Sequence, residues 1–329
     1  KAETPWRGVS MNNKPKTWRW ALLCAVLLVA LVVGLLHVPS RQHTVERGEP
    51  AVFAAVHQGA TETLRRHLDA HPEAVRARDQ SMRTPLHRAC ELGNAEAVDV
   101  LLDRGAAADA QGFGGEGPIH CAAEAGCVEA AKRLLGAGAQ VDRPDRDGRT
   151  PLHWAVDEGR EEMVEFLLGR GADVSHRAGF ALFASSTPLL GAAVHGHTGV
   201  AEILLEHGAQ IAARDRHGET PLHVACGRGN AATARLLLER GSDINTADRE
   251  GITPLMSAVM ANSTECVRLL LDRGADVSVK DKWGRTALDT AKDVMEAAGD
   301  VEGISRLDPR ILQMLRAAGE RAETAAGAQ

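Results

Sequence analysis

The chain has 329 residues, with 38 Lys and Arg against 44 Asp and Glu, and a net charge of −6. Residues 1–19 contribute +4 and the remainder −10; a mildly acidic body of this kind does not attract phosphate backbones, which argues against nucleic acid as a partner. Aromatic residues make up 3% with no tyrosine, so the few Phe and Trp present carry extra weight as candidate anchors.

The first element in chain order is an N-terminal apolar run. Residues 1–19 carry Lys1, Arg7, Lys14, Lys16 and Arg19 against Glu3, and residues 20–36 then carry no charge. As a helix this run spans about 25 Å, the lower limit for crossing a bilayer. The expected transmembrane helix or signal peptide covers 20–38. The positive-inside rule keeps the basic flank in the cytoplasm and sends everything after it to the extracytoplasmic side. The alternative is cleavage, with Val38 and Ser40 as the small pair, which would release the rest into the periplasm or the medium. Met11 opens MNNKPKTWRW, a natural start for a short basic segment, so residues 1–10 read as upstream sequence or the chain as a fragment. Residues 39–49 form a polar tether.

Next comes a repeat. Seven four-residue blocks recur: Thr84-Pro85-Leu86-His87, Gly117-Pro118-Ile119-His120, Thr150-Pro151-Leu152-His153, Thr187-Pro188-Leu189-Leu190, Thr220-Pro221-Leu222-His223, Thr253-Pro254-Leu255-Met256 and Thr286-Ala287-Leu288-Asp289. Their first residues lie 33, 33, 37, 33, 33 and 33 apart, a period that means stacked units unable to bury an apolar face alone. Each block reads as a helix start, with Thr to cap and Pro where its missing N–H is harmless. A small residue follows five positions after the block's first (Ala89, Ala122, Ala155, Ala192, Ala225, Ala258, Ala291), then a chain reversal at Gly93, Gly126, Gly159, Gly196, Gly229 and Asn262. A second helix ends in Leu-Leu and stops at Gly105, Gly138, Gly171, Gly208, Gly241 and Gly274. Tetrads such as Asp145-Arg146-Asp147-Gly148 and Asp281-Lys282-Trp283-Gly284 suit type I turns between units.

These residues resemble the ankyrin-repeat family, over roughly 50–319. The resemblance implies an all-α solenoid of stacked helix–turn–helix units, with hairpin fingers projecting at right angles to form a concave surface. Eight units follow: 50–83, 84–116, 117–149, 150–186, 187–219, 220–252, 253–285 and 286–319, with 320–329 as a flexible tail. The first unit lacks the block but keeps Ala55, Gly59, Leu64 and Leu68, as an end cap does. The last is enlarged: Gly319 follows Gly274 by 45 residues, which places about 12 extra in a helix-to-helix link within 294–309.

No chemistry assembles along the chain. Gly112-Phe113-Gly114-Gly115-Glu116-Gly117 fits G-x-G-x-x-G but falls on a finger with no preceding strand, so it is not read as a phosphate cradle. His195-x-His197 lacks a third ligand nearby in sequence, and the block histidines are expected to be hydrogen-bonded within the array. The six cysteines are read as buried thiols rather than a disulfide framework. Asn262-Ser263-Thr264 meets the glycosylation pattern, but the turn already explains Asn262. No nucleophile meets a base, so no enzyme, cofactor, metal site or small-molecule substrate is expected.

The reading is therefore a non-enzymatic protein–protein interaction module, membrane-anchored, with a protein partner of unknown identity. The 37-residue interval places Phe180, Leu182 and Phe183 where the turn tetrad would be, an apolar finger suited to contact. The resemblance puts variable contact positions at the finger tips, beside the block and before the turn glycine. Those include Phe113, Arg146, Trp154, Arg216, Arg228 and Trp283, with Trp154 and Trp283 joining Phe180 and Phe183 as the expected anchors.

Overall fold

The computed structural model describes residues 51–179, 187–299 and 307–327. The transmembrane or signal segment expected at 20–38 and the apolar finger residues Phe180, Leu182 and Phe183 lie outside these. Among the described residues, no helix is long and apolar enough to cross a membrane.

Sixteen α-helices appear among the described residues, two per unit. They are α1 Ala51–His57, α2 Thr61–Ala70, α3 Pro85–Glu91, α4 Ala95–Asp103, α5 Pro118–Ala125, α6 Val128–Gly136, α7 Pro151–Asp157 and α8 Glu161–Gly169. Then follow α9 Pro188–His195, α10 Thr198–Glu206, α11 Pro221–Gly227, α12 Ala231–Glu239, α13 Pro254–Met260, α14 Thr264–Asp272, α15 Ala287–Gly299 and α16 Pro309–Gly327. First helices pack on first helices and second helices on second, so each unit completes its core with its neighbours. The alanine at the fifth position after the block's first residue is fully buried in units two to eight, Ala89 through Ala291. That absence of bulk is what lets the first helices approach closely. Leu101, Leu134, Leu167, Leu204, Leu237 and Leu270 bury the inner side of the second helices.

Three of the four block histidines, His87, His120 and His223, tie each helix start to the finger that follows it. In unit two the Thr84 amide donates to His87 Nδ1 at 3.1 Å, which fixes the proton on Nε2; that nitrogen donates to Glu116 O, just before the next unit's block, at 3.2 Å. His120 repeats the pattern from Gly117 N to Arg149 O, and His223 from Thr220 N to Ile252 O. One ring thus satisfies a helix-start amide and the carbonyl that leads into the next unit's block. Where Leu190 and Met256 replace histidine, the threonine hydroxyls of Thr187 and Thr253 cap the helix instead. Asp289, which departs from the block in sequence, does the same work: its Oδ2 accepts from the Thr286 amide at 3.2 Å and hydroxyl at 2.8 Å.

The chain reversals adopt the left-handed backbone expected, and at Asn262 a non-glycine residue holds φ at 54°. Unit one folds without the block, with Phe53, Leu64 and Leu68 buried. The last unit differs from expectation in where its extra residues go. Its first helix, α15, runs 13 residues, against 7 or 8 in the first helices of the other units, so part of the enlargement is helix and not link. Its second helix, α16, runs 19 residues through Gly319 to Gly327, over positions assigned above to a tail. Ala and Glu dominate that stretch, and their helix propensity carries the chain past a glycine with open space around it.

Candidate interaction surface

Five of the fingers are built by an aspartate. Asp145 Oδ1 accepts from the amides of Asp147 and Arg149 at 2.9 and 2.8 Å, folding the tetrad into a turn. Asp79, Asp215, Asp248 and Asp281 do the same. Neighbouring fingers are then stitched through the backbone: Phe113 N to Ser81 O, Arg146 N to Gly114 O, Gly179 N to Asp147 O, Arg249 N to His217 O and Lys282 N to Glu250 O, all at 2.8–3.1 Å. Among the described residues the tips therefore form two stitched rows, from Ser81 to Gly179 and from His217 to Lys282, rather than independent loops. The glycine-rich finger has its own cause. A Cβ on Gly112 or Gly114 would meet the Glu116 carboxylate at 2.3 and 2.9 Å, because that side chain folds beneath the hairpin to reach Arg83 Nε at 3.0 Å.

Two of the expected contact residues, Phe113 and the expected anchor Trp283, stand on these tips. Phe113 is 67% exposed and lies under the Arg146 guanidinium at 5.1 Å, while Trp283 is 46% exposed beneath Arg285 at 4.8 Å. Each ring keeps one open face, with a cation fixing the other. Trp154 is placed differently. It is half-buried on α7, its indole N–H donates to Asp145 Oδ2 at 3.0 Å, and it meets His120 edge-on, so it braces a finger more than it projects. Arg216 is exposed at a tip with Nε donating to His217 Nε2 at 3.1 Å, and Arg228 is exposed beyond the end of α11. The structure thus gathers Phe113, Arg146, Arg216 and Trp283 on the tips, with Trp154 and Arg228 on the helix side.

Where fingers meet first helices, an inner face forms, and its chemistry was not read from the sequence. Arg83 Nη1 reaches Glu91 Oε2 at 3.5 Å, Arg149 pairs with Asp157, and Arg285 Nη1 reaches Asp293 Oδ2 at 3.1 Å. In each pair the arginine precedes the block and the carboxylate lies eight residues later, so the ion pair clamps finger to helix. An alignment of the units on that eight-residue spacing is the signal that would have found it. Burial raises the carboxyl pKa of Glu124 and of Asp157 and lowers that of His195. His195 and His197 stack at 5.8 Å, and His197 Nε2 donates to Asp157 O at 3.0 Å.

Known proteins agree with this architecture. The family described as "Ankyrin repeats (3 copies)" matches residues 22–112, 105–178 and 181–248, and "Ankyrin repeats (many copies)" matches 237–291. The chain belongs to the ankyrin-repeat family. The human ASB11 ankyrin repeat domain is similar, at 29% identity and a TM-score of 0.61, covering 72% of this chain and 98% of its own. The ankyrin repeat domain of Bcl-3, titled a unique member of the IkappaB protein family, matches at 29% identity and a TM-score of 0.57, over 70% of this chain and 100% of its own. No curated protein matches the sequence.

Proposed function

We propose that this ankyrin-repeat chain is a non-enzymatic module that binds a protein partner through its finger tips and inner face. The observation that carries this reading is the pair of tip rows: stitched fingers presenting Phe113 and Trp283, each large, exposed and held rigid by a guanidinium. Rigid aromatic groups lose little freedom on binding and are the residues most often found at the centre of interfaces. Phe180, Leu182 and Phe183 extend the first row in sequence and are assigned to it. The ASB11 and Bcl-3 arrays support the reading as similar folds.

The test is capture of the partner by crosslinking from intact cells, followed by pulldown with variants. Phe113→Ala with Trp283→Ala is expected to weaken recovery at least tenfold, as is Phe180→Ser with Phe183→Ser, given about 2 kcal/mol for a buried aromatic hot spot. Unchanged recovery in both pairs removes the tips from the interface.

The same reading places residues 20–38 in a membrane, with the repeats on the extracytoplasmic side. Support comes from the uncharged run at 20–36 behind five basic residues. Protease added to intact cells should spare the repeats until the outer barrier is opened, and the protein should stay with the membrane fraction. A mature chain starting near Arg41 would replace the anchor with a secreted form, and recovery from the soluble cytoplasm would overturn both.

A further inference from the structure

The clamp between finger and first helix is broken in the middle of the array. In units two, four and eight an arginine before the block meets a carboxylate eight residues on. Around the block of unit three those two positions hold Glu116 and Glu124, around that of unit six Glu219 and Gly227, and around that of unit seven Ile252 and Met260. The corresponding helix position in unit five is Val194. One turn earlier on the same side, where Arg88 and Trp154 reach their fingers in units two and four, units six and seven carry Val224 and Ser257. Over units five to seven the inner face therefore carries Val194, Val224 and Met260 around the buried Ser257, with Glu219 on its finger side.

That carboxylate has lost its counter-ion. Among the described residues no cation lies within ion-pair distance of Glu219, which is partly buried. Burial first, and then Asp215 and Asp248, push its carboxyl up to about 7, with Arg228 pulling the other way. Eight residues on, at the position of the clamp carboxylates, Gly227 leaves space: a Cβ there would meet only Ser257 Cβ, at 3.8 Å. Beside it Met260 is 47% exposed. An aliphatic floor of half-buried Val194 and Val224 and exposed Met260, next to a carboxyl group with no ion-pair partner among the described residues, is complementary to one kind of ligand, an aliphatic side chain with a positive charge close by.

We propose that units five to seven bind a segment of a protein partner that seats a large aliphatic side chain on Val194, Val224 and Met260 beside Gly227. A lysine or arginine of the same segment pairs with Glu219. The partner's cation takes the position that Arg149 holds before the block of unit four, so binding completes a clamp missing there. This rests on the protein-binding reading above and adds to it where the segment lies and what chemistry it carries.

Random dodecamer peptides displayed on phage, selected against the full chain in detergent, test it without knowledge of the natural partner. The enriched peptides should join a large aliphatic residue to a lysine or arginine. The consensus, made synthetically and followed by fluorescence anisotropy, should bind about tenfold more weakly to Glu219→Gln, a loss of the size expected for a single charge-assisted contact. Gly227→Leu, which fills the open space there, should weaken it at least as much. Circular dichroism melts within a degree or two of the parent protein would show both variants folded. Peptides that bind but carry an acidic consensus, or that ignore both substitutions, would overturn this site and leave the protein-binding reading standing. No enriched peptide, together with no partner crosslinked from cells, would remove both.

Discussion

Lowering the pH from 7 to 5 should remove several kcal/mol of the array's stability before ordinary carboxylates, which titrate near 4, protonate to any large extent. His87 is fully buried with Nδ1 accepting from Thr84, and burial pulls its pKa from 6.5 down to about 4. His153 falls to about 3 for the same first cause, and His120 and His223 shift the same way. The folded state holds these rings neutral, whereas the unfolded chain protonates them near 6.5. Between 6.5 and 4 the unfolded state therefore binds more protons, and stability must rise with pH across that window. The contribution is present above 6.5 and lost as pH falls towards the folded values. The His87 shift alone is worth about 3 kcal/mol, a large part of a typical domain's stability of about 5–15 kcal/mol. Glu219, Glu124 and Asp157 act in the opposite sense, since burial raises their folded values and acid relieves them. Four stacked histidines, each tied to a helix start, should outweigh those carboxyls. Urea titrations followed by circular dichroism at pH 7.5, 6, 5 and 4.5 would settle the sign, and a flat or rising stability on acidification would sink the account.

The same histidines show how much of this protein can be read from its chain. The block gives the helix starts, Ala89 and its equivalents give the close packing, and Asn262 at φ 54° gives the turn, because each follows from local stereochemistry repeated in phase. What the reading missed depends on contacts between segments. Asp289 looks like a loss of the block, yet its carboxylate caps Thr286 as the histidines cap their own helix starts. The glycines of 112–115 look like a phosphate loop, and only the folded finger shows that they make room for Glu116. The Arg149–Asp157 clamp joins residues that no single helix or hairpin brings together. Phe113 and Trp283 were legible as exposed because tips have no core to enter, whereas Trp154, at the finger's base, was drawn inward by the carboxylate of Asp145.

Two leucines of equal burial should respond differently to truncation, because the array is one-dimensional. Leu152 in α7 is 0% exposed and Leu68 in α2 is 1% exposed, so each Leu→Ala change should cost about 3 kcal/mol locally. The helix carrying Leu152 packs against α5 on one side and α9 on the other, and weakening it loosens two interfaces at once. Leu68 belongs to the first unit, whose helices have a neighbouring unit on one side only among the described residues. Stability in stacked units is close to a sum of unit and nearest-neighbour terms. Leu152→Ala should therefore lower the urea midpoint of the whole transition, or split it into two where units one to three part from units five to eight. Leu68→Ala should let unit one fray, leaving the main midpoint nearly unchanged with a shallower denaturant slope, since less surface remains to be exposed in that step. Hydrogen exchange read by mass spectrometry would locate the loss, around α1 and α2 in the second variant and across the central units in the first. Identical midpoints and slopes for the two variants would mean that the chain unfolds as a single globular unit, and the nearest-neighbour description would have to be given up.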